Sequence, residues 1–160
     1  MIPGKILRFL DEHANIATSA TRDQDLRPYV HRVTGWRVGA DRNILTCMFP
    51  ALFLDHLVES LQDNGHLSAT IDEFPSHESY QFKGRYLRHR EIDTEDLAVQ
   101  ARIRGRWVKG VRSIFPEIPE DVLGAYIIAA ALAVDFQVQE IYLQTPGPGA
   151  GTRIVPPQEV

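Results

Sequence analysis

The feature that narrows the fold most is a series of short alternating segments joined by turn signals. In "VDFQVQEIYLQT", Val134 to Thr145, one side carries Val134, Phe136, Val138, Glu140 and Tyr142. The other carries Gln137, Gln139, Ile141 and Leu143, which is the two-residue period of a strand. The same reading fits Asn15 to Arg22, Arg27 to Thr34, Trp36 to Ala40, Asn43 to Phe49, "HLSATIDEF" and "YQFKGRYLRHREI". The links "RDQDLRP", "ADRN" and "PSHES" are polar and turn-like. Short links between strands predict antiparallel pairing, and an antiparallel series of this length closes into a barrel with its helices outside.

Four segments have helical spacing instead. Pro3 to Glu12 starts on a proline suited to a first turn. Ala51 to Asp63 carries Leu54, Leu57, Val58 and Leu61 as an apolar stripe, and Asn64-Gly65 stops it. Asp93 caps a helix running to about Phe115, with Ile103, Trp107, Val111 and Ile114 on one side. Glu120 to about Leu132 reads as a short apolar helix, and the apolar run Val122 to Val134 suggests an interface. Together these predict one mainly β domain with flanking helices (α+β) over residues 1–160, with an extended Gly- and Pro-rich tail from 145 to 160.

Charge and cysteine content bound the function. With 17 Lys and Arg against 21 Asp and Glu, the net charge is −4, which argues against a general nucleic-acid partner. The single cysteine, Cys47, leaves no intrachain disulfide. It reads as a small buried apolar residue. No membrane-length apolar run occurs, and a cytoplasmic location is expected. The six histidines make no HExxH or HxH pair, so no metal site is expected. One histidine suffices as an axial heme ligand, which keeps heme open as an alternative.

The residues that could carry chemistry lie in the strands. "RPYVHR" threads Arg27, His31 and Arg32 among the strand formers Tyr29, Val30 and Val33. Arginine suits phosphate because its planar fork donates paired hydrogen bonds; a solvated strand face explains the pattern equally well. Strand parity sets Arg27 and His31 on one face and Arg32 on the other, unless a bulge intervenes. Ser79, Gln81 and Lys83 share one strand face and could line a polar ligand or face water. Thr46 sits near the end of its strand, just before Pro50 and a helix. Most of the cations Arg102, Arg104, Arg106, Lys109 and Arg112 on the long helix read as solvated.

"RPYVHR", "NILTCMFPALFLDHLVESLQDNG" and "PSHESYQFKGRYL", in that order, resemble the pyridoxamine 5'-phosphate oxidase-like family. "DFQVQEIYLQTPGPGAG" resembles the ending of a short bacterial branch of that family. The resemblance implies a six-stranded antiparallel split β-barrel of FMN-binding type. It implies a homodimer with FMN in two clefts at the interface. It implies that Arg27 and Arg32 hold the FMN phosphate, with Val30 and His31 between them. Thr46, Ser79 and Gln81 would approach the ring or ribityl chain, Tyr142 the flavin side, and Arg153 the substrate. His31 or His77 could shuttle protons, and no residue is nominated as a catalytic nucleophile.

The chain departs from the family at several places. Leu45 replaces an aromatic residue and Ser79 a glutamine, and Pro50, Ala51 and Leu52 stand where the oxidase has Ser-Arg-Lys. The expectation is a flavin-dependent oxidoreductase acting on a small substrate. The alternative is a heme-binding or non-catalytic split barrel with a degenerate flavin site.

Overall fold

The computed structural model describes residues 1–52, 54–126 and 128–155. Eight strands form one antiparallel sheet. They are β1 (Ile16–Arg22), β2 (Pro28–Val33), β3 (Gly35–Val38), β4 (Ile44–Pro50), β5 (His66–Asp72), β6 (Ser79–Arg90), β7 (Ala130–Leu143) and β8 (Arg153–Val155). Their spatial order is β2-β1-β5-β6-β7-β4-β3, with β8 added to β7. The two strands at the ends of that order, β2 and β3, are consecutive in the chain, with Thr34 alone between them. The Thr34 N–H and hydroxyl both donate to the Met48 carbonyl, at 2.8 and 3.2 Å. That crossover wraps the sheet into a barrel and leaves a split beside β2.

Alternation assigns the two faces. Ala17, Val33, Leu45, Cys47, Phe49, Ala69, Ile71, Phe82, Val134 and Phe136 point inward and are buried. Each large apolar side chain buried this way contributes about 1.5–3 kcal/mol. In the second half of β7 the alternation breaks at one place. A bulge opposite Lys83 and Gly84 shifts the register, so Val138 and Ile141 both face the core while Glu140 and Tyr142 face outward. A strict alternation groups Tyr142 with Val138 instead. Gly84 sits at this bulge because a Cβ there would stand 1.9 Å from the Gln137 carbonyl oxygen.

The helices are α1 (Gly4–Arg8), which runs into a π-helical turn at Phe9–His13, then α2 (Leu54–Asn64), α3 (Thr94–Ile114) and α4 (Glu120–Ala125). Gly65 ends α2 at φ +67°, a conformation glycine adopts freely. Asp93 caps α3 through a reciprocal box: its carboxylate accepts from the Asp96 N–H, and the Asp96 carboxylate accepts from the Asp93 N–H. The helix expected to reach Leu132 ends at Ala125. From Ala130 onward the apolar run pairs with Phe49 and Pro50 of β4, so sheet pairing overrides the helical pattern. The tail also departs from expectation: Arg153–Val155 is strand, which with the separately paired β3 gives eight strands where six were expected. Residues 156–160, the rest of the expected extended tail, lie outside the described residues.

Candidate functional site

Several of the strand residues singled out in the sequence fall on one line across the outer face. Register pairs run from Arg32 to Thr18, to Thr70, to Gln81, to Tyr142 and to Arg153. Side chains paired in register share a face, so this row crosses the barrel wall from β2 to β8. Arg32 and Gln81 are three strand spacings apart, roughly 14 Å. A parallel row holds Val30, Ala20, Ser68, Lys83 and Glu140. At its far end the Tyr142 hydroxyl donates to Glu140 Oε2 at 2.6 Å, and Arg153 Nη2 donates to Glu140 Oε1 at 2.7 Å. The Lys83 ammonium lies 4.6 Å from the centre of the Tyr142 ring. The Glu140 hydrogen bond, then desolvation and the Glu140 charge, hold the Tyr142 phenol above its ordinary value.

The other expected residues sit elsewhere. β1 and β2 pair without a bulge, so His31 points into the barrel. Its Nε2 meets Thr21 Oγ1 at 3.1 Å, and its ring meets Phe49 edge-on. Burial, then the neighbouring His56, pushes the His31 imidazole below its ordinary pKa. Arg27 precedes β2 in the turn. It is exposed beside Asp25, and its N–H donates to Asp23. Arg27 is thus five residues, roughly 16 Å, from Arg32 along an extended chain. Ser79 is buried; its hydroxyl donates to Asp72 and its backbone ties down Gln144 and Thr145. Burial raises the Asp72 carboxyl, opposed by the Ser79 hydrogen bond. Gln81 is half-buried and takes a 3.4 Å contact from Gln144. Thr46 is buried on the outer face of β4, donating to Asp135 at 2.7 Å, and Arg88 holds the other oxygen of Asp135 at 2.8 Å. His77 is exposed in the turn before β6.

Arg32 marks one wall of a cleft of about 750 Å³ between the outer face of β1 and β2, helix α3 and the segment after α4. That volume lies within the usual range for small-molecule sites. Arg32 Nη2 donates to the Tyr126 carbonyl at 2.6 Å and its guanidinium lies over the Tyr126 ring, 5.6 Å from its centre. Trp107 packs against Tyr126 at 5.7 Å. Exposed Val30 and Leu97 complete an apolar floor. An aromatic anion fits such a place: rings to stack on, apolar surface, and a guanidinium for the charge. Trp107 and Tyr126 were not legible as site residues in the sequence. Trp107 carried only core spacing, and Tyr126 lay within an expected helix.

The wall formed by α3 is held by ion pairs. Asp96, fully buried, accepts from Arg90 at 2.5 and 3.1 Å and lies 3.3 Å from Arg37 Nε. Arg37 also pairs with Asp93 and Glu95. Burial pushes the Asp96 carboxyl up, but the Arg90 hydrogen bonds, the Asp93 N–H and the two cations outweigh it and hold the group below the ordinary carboxylate range.

Comparison with known proteins fits this architecture. HupZ of Group A Streptococcus superposes with a TM-score of 0.56 at 14% identity, over 95% of this chain and 99% of that one. An FMN-binding protein from Syntrophomonas wolfei gives 0.51 at 11% identity, over 86% and 82%. A provisionally named pyridoxamine 5'-phosphate oxidase from Lactobacillus delbrueckii gives 0.52 at 13%, over 88% and 93%. The fold is the split barrel of the pyridoxamine 5'-phosphate oxidase-like proteins. No protein-family model and no curated protein matches the chain. Among the described residues of this split barrel, no helix is long and apolar enough to cross a membrane. Nor do three or more His, Cys, Asp or Glu side chains gather as a metal site among them.

Proposed function

We propose that this split barrel binds FMN in the Arg32 cleft and along the adjoining outer face, as a cytoplasmic homodimer, and acts as an oxidoreductase on a small substrate. The observation that carries the reading is the alignment of Arg32, Gln81, Tyr142 and Arg153 on one register row, with Arg32 opening into an aromatic-walled cleft. Arg32 supplies charge for the phosphate. Trp107 and Tyr126 supply stacking surface. Gln81, with one donor and one acceptor group, faces the same side and suits the polar edge of a flavin ring. FMN, when bound, supplies hydride or electron transfer, and the protein supplies position and electrostatics. Arg27 and Thr46, turned toward Asp25 and Asp135 respectively, would need rearrangement to join the site.

The test is the visible spectrum of the purified protein after loading with FMN and removing the excess. A retained flavin spectrum that Arg32→Ala abolishes supports the assignment. Wild-type protein that retains no flavin at micromolar concentration, or an Arg32→Ala variant that retains it as well as wild type, sinks it. Light scattering on the loaded protein reports the dimer.

A further inference from the structure

We infer that Arg104, on α3, is the second cation for the phosphate of the cleft's ligand, facing the same space as Arg32; the inference rests on the FMN reading above. The chain has no basic pair after β4, because Pro50, Ala51 and Leu52 occupy that step. A phosphomonoester carries about two negative charges near neutral pH, and a lone exposed guanidinium matches half of them. The cleft supplies the other half from a different element. Leu97, Gln100, Ala101 and Arg104 all line it, at the i, i+3, i+4, i+7 spacing that forms one stripe of a helix. Trp107 continues the stripe into the cleft.

Two observations separate Arg104 from the other arginines of α3. Arg106 donates to the carbonyls of Leu10, Asp11 and Ala14, and Arg112 pairs with Glu120. Arg102 lines a different cleft, of about 410 Å³, together with Asp11 and Glu12. Arg104 is exposed and makes no hydrogen bond or ion pair among the described residues. The cleft wall, moreover, contains two arginines and no aspartate or glutamate. The chain as a whole has 21 acids to 17 Lys and Arg, so an acid-free wall around two arginines is a local reversal of charge. Two guanidiniums without a counter-ion repel each other, and a dianion between them removes that repulsion. The Thr18 hydroxyl, paired in register with Arg32 and lining the same cleft, adds a neutral donor.

The experiment compares FMN with riboflavin, which lacks the phosphate, by flavin-fluorescence titration of wild type, Arg104→Ala, Arg104→Lys and Arg102→Ala. Arg104→Ala is expected to weaken FMN about tenfold or more, the scale of a charge-assisted hydrogen bond, and to leave riboflavin unchanged. Arg104→Lys recovers part of the loss, and Arg102→Ala, a charge lost from the other side of the same helix, leaves FMN affinity at wild type. An Arg104→Ala protein that binds FMN as wild type does overturns the inference while the FMN reading stands. Equal losses in Arg104→Ala and Arg102→Ala overturn it too, since that would be net charge and not a contact. Wild-type protein that binds neither flavin removes both readings together.

Discussion

Asp96→Asn tests whether the ion-pair network positions the helix that walls the cleft. In the folded protein Asp96 has no exposure, accepts from Arg90 and one backbone N–H, and forms an ion pair with Arg37. The amide keeps the shape and one acceptor but loses the charge that Arg37 and Arg90 face. Breaking a buried pair costs about 3–5 kcal/mol. Both arginine side chains retain 23% exposure and keep Asp93 as an alternative partner, which brings the loss below that range, to about 2–3 kcal/mol. For a chain of this size that is a drop in Tm of roughly 5–12 °C. The cost should also depend on pH. Because the Asp96 carboxyl titrates below its unfolded value, its contribution is complete above the ordinary carboxylate range near 4 and disappears as pH falls through the folded value. Urea unfolding of wild type and variant at pH 7 and at pH 3 therefore gives two curves that converge in acid. A loss under 1 kcal/mol at pH 7, or a gap that persists unchanged in acid, refutes the argument.

Three further outcomes follow from single sites. Gly84→Ala places a methyl 1.9 Å from the Gln137 carbonyl oxygen, backbone that cannot yield without breaking the β6–β7 register. A loss of about 3 kcal/mol or more in urea unfolding is expected, and a variant within 1 kcal/mol of wild type would show that the bulge is loose. His31, held below its ordinary value by burial and by His56, is neutral in the barrel and takes up a proton more readily when unfolded. Its contribution is therefore present above about pH 6.5 and lost as pH falls toward the folded value. His31→Gln flattens the stability profile in that window, and an NMR titration placing the folded imidazole at or above 6.5 contradicts the assignment. Burial, then the nearby Asp135, pushes the Cys47 thiol up, so native protein should not react with Ellman's reagent within an hour while urea-unfolded protein reacts at once.

The strands were legible because each needs only a partner on either side and a two-residue period, and β1, β5 and β6 read directly from "NIATSATR", "HLSATIDEF" and "YQFKGRYLRHREI". Helix α3 was legible from its cap: Asp93 and Asp96 stand at the spacing of a capping box. What failed were the places where a partner decides. The bulge that turns Glu140 and Tyr142 outward exists only because β6 shifts at Lys83 and Gly84. The apolar stretch after Gly124 satisfies a helix as well as a strand, and the free edge of β4 settles it. Parity correctly separated His31 from Arg32, since no bulge intervenes.

The arginines of α3 show the limit most sharply. Arg102, Arg104, Arg106 and Arg112 are alike in sequence, and nothing there tells which of them is not simply solvated. Folding makes them different: one braces three carbonyls, one pairs with Glu120, one lines a cleft with three acids, and Arg104 stands against an acid-free wall. Helical spacing predicts which of them share a stripe, but only the crossover at Thr34, which brings β2 to the edge beside α3, determines what that stripe faces. An exposed helix position can gain or lose a guanidinium at little cost to stability, whereas the turn into α2 is built around Pro50, which ends β4 in register with Ala130. On the FMN reading proposed above, a phosphate cation on α3 in place of one in that turn would leave the barrel unchanged. The pair of charges would then sit in the cleft with no motif in the sequence to announce it.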